Sequence, residues 1–330
     1  MSQLKRRSFM AVTAGAAFAA PALLRPAAAR TTTITVASLL GEDKPETKIW
    51  RHVAEQVEQK LPGRFRFNVV ANGALGGEKE VAEATRLGSV QASLSTVSAL
   101  SGWVPELQIL DLPFLYRDAA HLRRVVTGST GEALSARLAA QNFISCGFID
   151  YGARHLLTKT PVTRPEQLKG QRIRVIQSPL HTKLWSAYGA APVGIPITET
   201  YNALSTGVVD AMDLTKSAYA GFKLYEVVPS MTETGHIRAS GIVFFAASFW
   251  KTLSPEEQAV LQTAAGEGAL YFNQLIVEDE ARSMETAKAH GGKLLQPEAF
   301  ETWQAGAKNV WQDFATVVGG MDRIEAVQQA

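Results

Sequence analysis

The stretch Thr33-Ile34-Thr35-Val36-Ala37-Ser38-Leu39 is a compact run of β-branched and apolar residues, and it reads as a buried strand. Asp43 and Pro45 then open a helix in which Ile49, Trp50, Val53 and Val57 recur at helical spacing. Pro62-Gly63 ends it. Phe65, Phe67 and Val69 alternate as a second strand, Glu78 to Leu87 forms a second helix stopped by Gly88, and Val90 to Ser95 forms a third strand. Strands that alternate with covering helices pair in parallel through right-handed crossovers, so this series predicts an α/β unit. The alternation returns after Tyr151, with strands at Arg172 to Ile176, Ala191 to Ile195 and Val208 to Met212, and helices at His181 to Tyr188 and Thr198 to Ser205. Two α/β lobes are expected.

The C-terminal third is mainly helical. Ser254 and Glu257 have capping-box spacing, and Pro255 takes the first helical position. Helical patterning runs from there to His290-Gly291-Gly292, roughly 35 residues or ~50 Å. A single helix of that length outspans one lobe and would be shared by both. Two helices broken near Gly266 satisfy the same pattern.

Residues 1–29 belong to no lobe. Lys5-Arg6-Arg7-Ser8-Phe9-Met10 is basic with paired arginines, a weakly apolar run extends from Phe9 to Leu24, and Ala27-Ala28-Ala29 offers a small-residue cleavage site. The segment resembles a twin-arginine export signal, and its Ala-rich run is shorter than the ~20 residues needed to span a bilayer. No cysteine lies near the cleavage point to accept a lipid. A periplasmic protein without stable membrane insertion is expected. The whole chain of 330 residues has a formal net charge of +2, but losing Lys5, Arg6, Arg7 and Arg25 leaves the remainder slightly acidic. That balance excludes the concentrated basic surface nucleic acid requires. At 46% hydrophobic and 19% charged, the composition is that of a folded body rather than a disordered one.

Enzymatic signatures are missing. There is no GxGxxG after the first strand, no GxxxxGK[ST], no GxSxG and no HExxH. Cys146 is the single cysteine, and His52, His121, His155, His181, His236 and His290 are scattered without ligand spacing, so no metal or other cofactor is expected. Gly73 to Glu80 is a Gly-rich turn into a helix with no P-loop lysine, which reads as a tight connection. Asp210 and Asp213 are close enough for a carboxylate pair, although turn chemistry explains them as well.

Five stretches carry more: LGGEKE…LGSVQASL from Leu75, PELQILDLPFLY from Pro105, GQRIRV…SPL from Gly170, ETYNALSTGVVDAMD from Glu199 and LSPEEQ from Leu253. In this order and spacing the chain resembles, over residues 31 to 330, the DctP-type extracytoplasmic solute receptors of TRAP transporters. The resemblance implies a two-lobe periplasmic binding protein that closes by a hinge on a small organic acid and delivers it to membrane permease subunits. It implies lobe I as 30–151 plus 240–280, and lobe II as 152–239 plus 281–330. No catalysis is implied. The alternatives are an exported cofactor- or metal-dependent enzyme and a ligand-sensing adaptor of the same fold.

Arg174 stands in the apolar strand Ile173-Arg174-Val175-Ile176, where a charge needs a partner, either an internal acid or a ligand carboxylate. By resemblance it is the arginine that clamps the substrate carboxylate, and Arg154 is a second, assisting arginine. Ser95 and Thr96, at the carboxyl end of the third strand, face the place where open α/β sheets bind ligands. Glu78 and Phe114 join the pocket by family position. The family usually continues VDGQENP where this chain reads Val209-Asp210-Ala211-Met212-Asp213-Leu214. Leu214 cannot hydrogen-bond, and Asp213, if it faces the cleft, disfavours a second carboxylate or pairs with a cation. The expected ligand is a monocarboxylate.

Overall fold

The computed structural model describes residues 31–330, so the export signal expected at residues 1–29 lies outside the described residues. The first series forms as expected: β1 (Thr32–Ala37), α1 (Pro45–Lys60), β2 (Phe65–Val70), α2 (Glu78–Arg86) and β3 (Ala92–Thr96). Helices α3 (Val97–Leu100), α4 (Ala119–Thr127) and α5 (Ser129–Ala140) then lead to the long strand β4 (Phe143–Thr158). The second series is β5 (Arg172–Val175), α6 (Pro179–Ala187), β6 (Ala191–Gly194), α7 (Ile197–Ser205) and β7 (Ala211–Thr215). After α8 (Lys216–Gly221) comes the longest strand, β8 (Ser230–Ala246), then α9 (Ala247–Trp250), α10 (Pro255–Ala289), β9 (Lys293–Leu295), α11 (Phe300–Val318) and α12 (Met321–Gln329).

All strands join one sheet in the order β2-β1-β3-β8-β4-β7-β5-β6, with β9 beside β8. The predicted parallel pairing holds within each series, β2-β1-β3 and β7-β5-β6. Antiparallel contacts join the series, because β8 and β4 run side by side through the middle and pair with β3 and β7. The sheet is therefore mixed. The β4–β8 register shifts at Ser145/Gly147, Asp150/Gly152 and Arg154/Leu156, bulges that bend a strand pair.

Alternation along β8 builds the core. Val243 and Phe245 enter one apolar cluster with Trp50, Val53 and Phe272, whereas Ile242 and Phe244 enter another with Trp185, Trp303 and Val310. Successive side chains of a strand point to opposite faces, so these clusters cover the two faces of the sheet. A third, around Tyr219, Met212 and Met284, lies at the β7 end.

The C-terminal pattern resolves to one helix. α10 is unbroken over 35 residues, about 52 Å, and its capping box is formed: Glu257 N donates to Ser254 Oγ (3.2 Å) and Ser254 N to Glu257 Oε2 (2.8 Å). It packs against α1, β4 and α8. Gly268 is no break. A Cβ there would lie 2.7 Å from Val53 Cγ2, so the missing side chain lets α1 approach.

Candidate functional site

β4 and β7 are antiparallel neighbours with Arg154 opposite Thr215 and Leu156 opposite Asp213. Arg154 and Asp213 thus sit diagonally on one face, within reach of long side chains. Arg154 Nε lies 2.5 Å from Asp213 Oδ2, and a terminal nitrogen donates to the Asp213 carbonyl at 2.8 Å. His236 Nε2 approaches the same carboxylate at 3.2 Å. Burial works to raise the Asp213 carboxyl, but the charge of Arg154 and the His236 contact outweigh it and hold Asp213 well below the usual carboxylate range. Asp213 is a strand residue, not a turn residue. Its sequence neighbour Asp210 faces elsewhere and pairs with Arg172 at 2.8 Å, so the two acids form no carboxylate pair.

On the other side of β7, strand β5 carries Arg174, which is 2% exposed. Its Nε donates to the Ile195 carbonyl at 2.8 Å, fixing the guanidinium plane. Among the described residues no carboxylate comes within ion-pair distance of Arg174. Burial, with the like charge of Arg154, brings its guanidinium down to about 10. A buried cation that leaves its terminal nitrogens without a protein partner is suited to receive an anion.

Both arginines line a cavity of ≈ 50 Å³ whose other walls are mainly apolar, including Leu214, Ile197, Phe222 and Phe272. Glu78 and Thr96 also line it. Glu78 begins α2, after a turn in which Gly73 and Gly76 take φ values of 63° and 109°, and its Oε1 accepts from Thr96 N at 2.6 Å. A Cβ at Gly73 would meet Thr198 Cγ2 at 3.1 Å, so the turn fits closely against the start of α7. The Thr96 hydroxyl accepts from Ala99 N and caps α3.

Of the eight residues expected from sequence, Arg174, Arg154, Leu214, Glu78 and Thr96 meet at this cavity. Asp213 does not line it and stands behind Arg154. Ser95 points into a smaller void beside Ser38 and Gly73, and its hydroxyl has no partner. Phe114 lies apart, with φ 57°, packing edge-on against Phe300 and facing a separate hollow beside Trp311. Sequence reasoning missed Glu46 and Tyr151, which also line the cavity. Glu46 sits in the first turn of α1, where an acid ordinarily signals only a favourable helix start.

Among the described residues, no group of His, Cys, Asp and Glu side chains could hold a metal ion, and no helix is long and apolar enough to cross a membrane.

Comparisons with known proteins agree with the fold. A solute-binding protein of Verminephrobacter eiseniae is 30% identical over 73% of this chain and 72% of its own. The structure of a TRAP periplasmic solute binding protein from Bradyrhizobium sp. BTAi1, in complex with galacturonate, superposes with a TM-score of 0.87 at 29% identity, covering 90% of this chain and 100% of that one. A TRAP periplasmic solute binding protein from Shewanella oneidensis with bound succinate gives 0.86 at 27% identity, over 91% and 99% of the two chains. The model of the DctP family, described as bacterial extracellular solute-binding protein family 7, matches residues 36–316, and the chain belongs to that family.

Proposed function

We propose that this protein is the periplasmic solute-binding component of a TRAP transporter, which captures an organic acid between two lobes and delivers it to the membrane permease without chemical change. The observation that carries the reading is Arg174: a buried guanidinium, fixed by Ile195, lining a cavity and lacking an acid of its own. The related proteins with galacturonate and succinate bound support a carboxylate as the captured group. One carboxylate is the finer reading, because Asp213 already pairs with Arg154, which leaves Arg174 as the cavity arginine with no carboxylate within ion-pair distance.

In this reading lobe I is 30–151 plus 240–280 and lobe II is 152–239 plus 281–330. The hinge then falls at the bulges where β4 passes Asp150 and Gly152 beside Ala239 and Ser240 of β8. Export follows the twin-arginine route through Arg6 and Arg7. Native mass spectrometry of the protein as purified, followed by titration calorimetry with D-galacturonate and succinate, tests the assignment. A bound or titratable acid recovered unchanged is the expected result; turnover of the acid, or no affinity for any carboxylate, refutes it.

A further inference from the structure

The cavity also has an acidic wall. Glu46, 3% exposed, lines it together with the arginines, with its Oε1 accepting from Leu39 N at 2.7 Å and from the Ser38 hydroxyl at 3.3 Å. Its Oε2 has only the Tyr151 hydroxyl, at 3.3 Å. Among the described residues no lysine, arginine or histidine comes within ion-pair distance of Glu46. Glu78 lies close enough to add like charge, and one of its own oxygens is occupied by Thr96 N. A carboxyl buried without a counter-charge is unfavourable, and burial pushes Glu46 up to about 7. Nothing in the helix start demands it: α1 has Pro45 at its first position and Lys44 as its N-cap residue.

Charge and hydrogen-bonding capacity thus differ around the cavity wall. The arginines offer guanidinium donors, with Glu78 near enough to act on their charge, whereas Glu46 offers acceptors and has no cation within ion-pair distance. We propose that Glu46 is a specificity-determining residue, whose Oε2 accepts a hydrogen bond from a hydroxyl at the far end of the ligand and rejects a second carboxylate there. The ligand class is then a hydroxylated monocarboxylate. This inference rests on the carboxylate-capture reading, and it adds what the opposite end of the ligand must be.

D-Erythronate and succinate make a matched test, because both are four-carbon acids and differ in carrying hydroxyls or a second carboxylate away from the first. Titration calorimetry of the full-length mature protein at pH 8, above the value to which burial pushes Glu46, should show erythronate preferred at least tenfold. Glu46→Gln keeps the acceptor for Leu39 N but removes the charge. It should weaken erythronate about tenfold, the worth of one charge-assisted hydrogen bond, and strengthen succinate, so that the preference collapses or inverts. Glu46→Asp, which retains the charge, should weaken erythronate yet still reject succinate; it decides the matter if the glutamine variant does not fold. An unchanged erythronate-to-succinate ratio in Glu46→Gln, or a wild type that prefers succinate or binds neither acid, overturns the proposal. Arg174→Met separates the two levels: if it abolishes binding while Glu46→Gln leaves the ratio unchanged, carboxylate capture stands and the role of Glu46 falls. If Arg174→Met binds normally, both fall.

Discussion

Replacing Arg174 gives opposite signs for binding and for stability, and that opposition is the sharpest test of its role. Arg174→Lys keeps the charge but loses the Nε bond to Ile195 and the rigid fork that meets a carboxylate with two parallel bonds. Losing one charge-assisted bond is worth about 1.5–3 kcal/mol, so affinity for the acid should fall roughly ten- to hundredfold. Arg174→Met removes the charge as well. In the ligand-free protein the guanidinium is buried with no carboxylate within ion-pair distance, and its depression from the usual arginine range to about 10 corresponds to a burden on the order of 3 kcal/mol. Relief of that burden offsets loss of the Ile195 bond, so the ligand-free Met variant should melt no lower than wild type while failing to bind. Calorimetric titration beside scanning calorimetry of the ligand-free forms reads both. A Met variant that melts several degrees early and still binds the acid would show Arg174 to be a structural cation.

Arg154 should behave differently: Arg154→Ala leaves Asp213 buried with His236 alone, so thermal unfolding should show a loss of about 3–5 kcal/mol whether or not acid is present. Gly268→Ala should destabilise despite its better helix propensity, because the new Cβ meets Val53 at 2.7 Å, whereas Gly266→Ala, 3.4 Å from the Cys146 carbonyl, should be nearly neutral in urea unfolding. Burial lowers His155 to about 3, so between pH 6.5 and 3 the unfolded chain binds a proton that the folded one refuses. Stability should fall by about 1.4 kcal/mol per pH unit through that window, and His155→Gln should flatten the slope in pH-resolved melts. For export, the Arg6→Lys, Arg7→Lys double variant should remain cytoplasmic on fractionation, and normal periplasmic yield would remove the twin-arginine assignment while leaving a general signal peptide.

Local periodicity made most of the fold legible, and it failed where partners are distant. The two strand–helix series and the start of α10 could be read from apolar spacing, turn glycines and the Ser254–Glu257 box. The central strands β4 and β8 do not announce themselves, since Gly, Asp and Arg interrupt their alternation at the bulges. β7 begins at Ala211 rather than Val208: Val208 is 52% exposed, and Asp210 N is tied to the Arg172 carbonyl before the strand starts. That shift is why Asp213 looked like a turn residue. Its partner Arg154 is 59 positions away, and no local pattern reports a cross-strand ion pair. Arg174 was legible because a charge flanked by Ile173 and Val175 in a short strand is conspicuous, and the family resemblance supplied its role. Glu46 was not, because an acid in the first turn of an amphipathic helix is ordinary.

The place of β8 in the sheet also governs how the chain assembles. Before residue 230 has been synthesised, the strands can make only two fragments, β2-β1-β3 and β4-β7-β5-β6, each ending in an unpaired edge. β8 lies between them, joining Leu94 to Val243 on one side and Leu157 to Met231 on the other. Such distant pairings close slowly, because long loops must be ordered before any contact rewards them. Through most of its synthesis the chain therefore carries two open, partly apolar strand edges, the kind of surface that pairs with other chains. A polypeptide ending before Ser230 would not be a smaller receptor. It would be two half-sheets without their common strand.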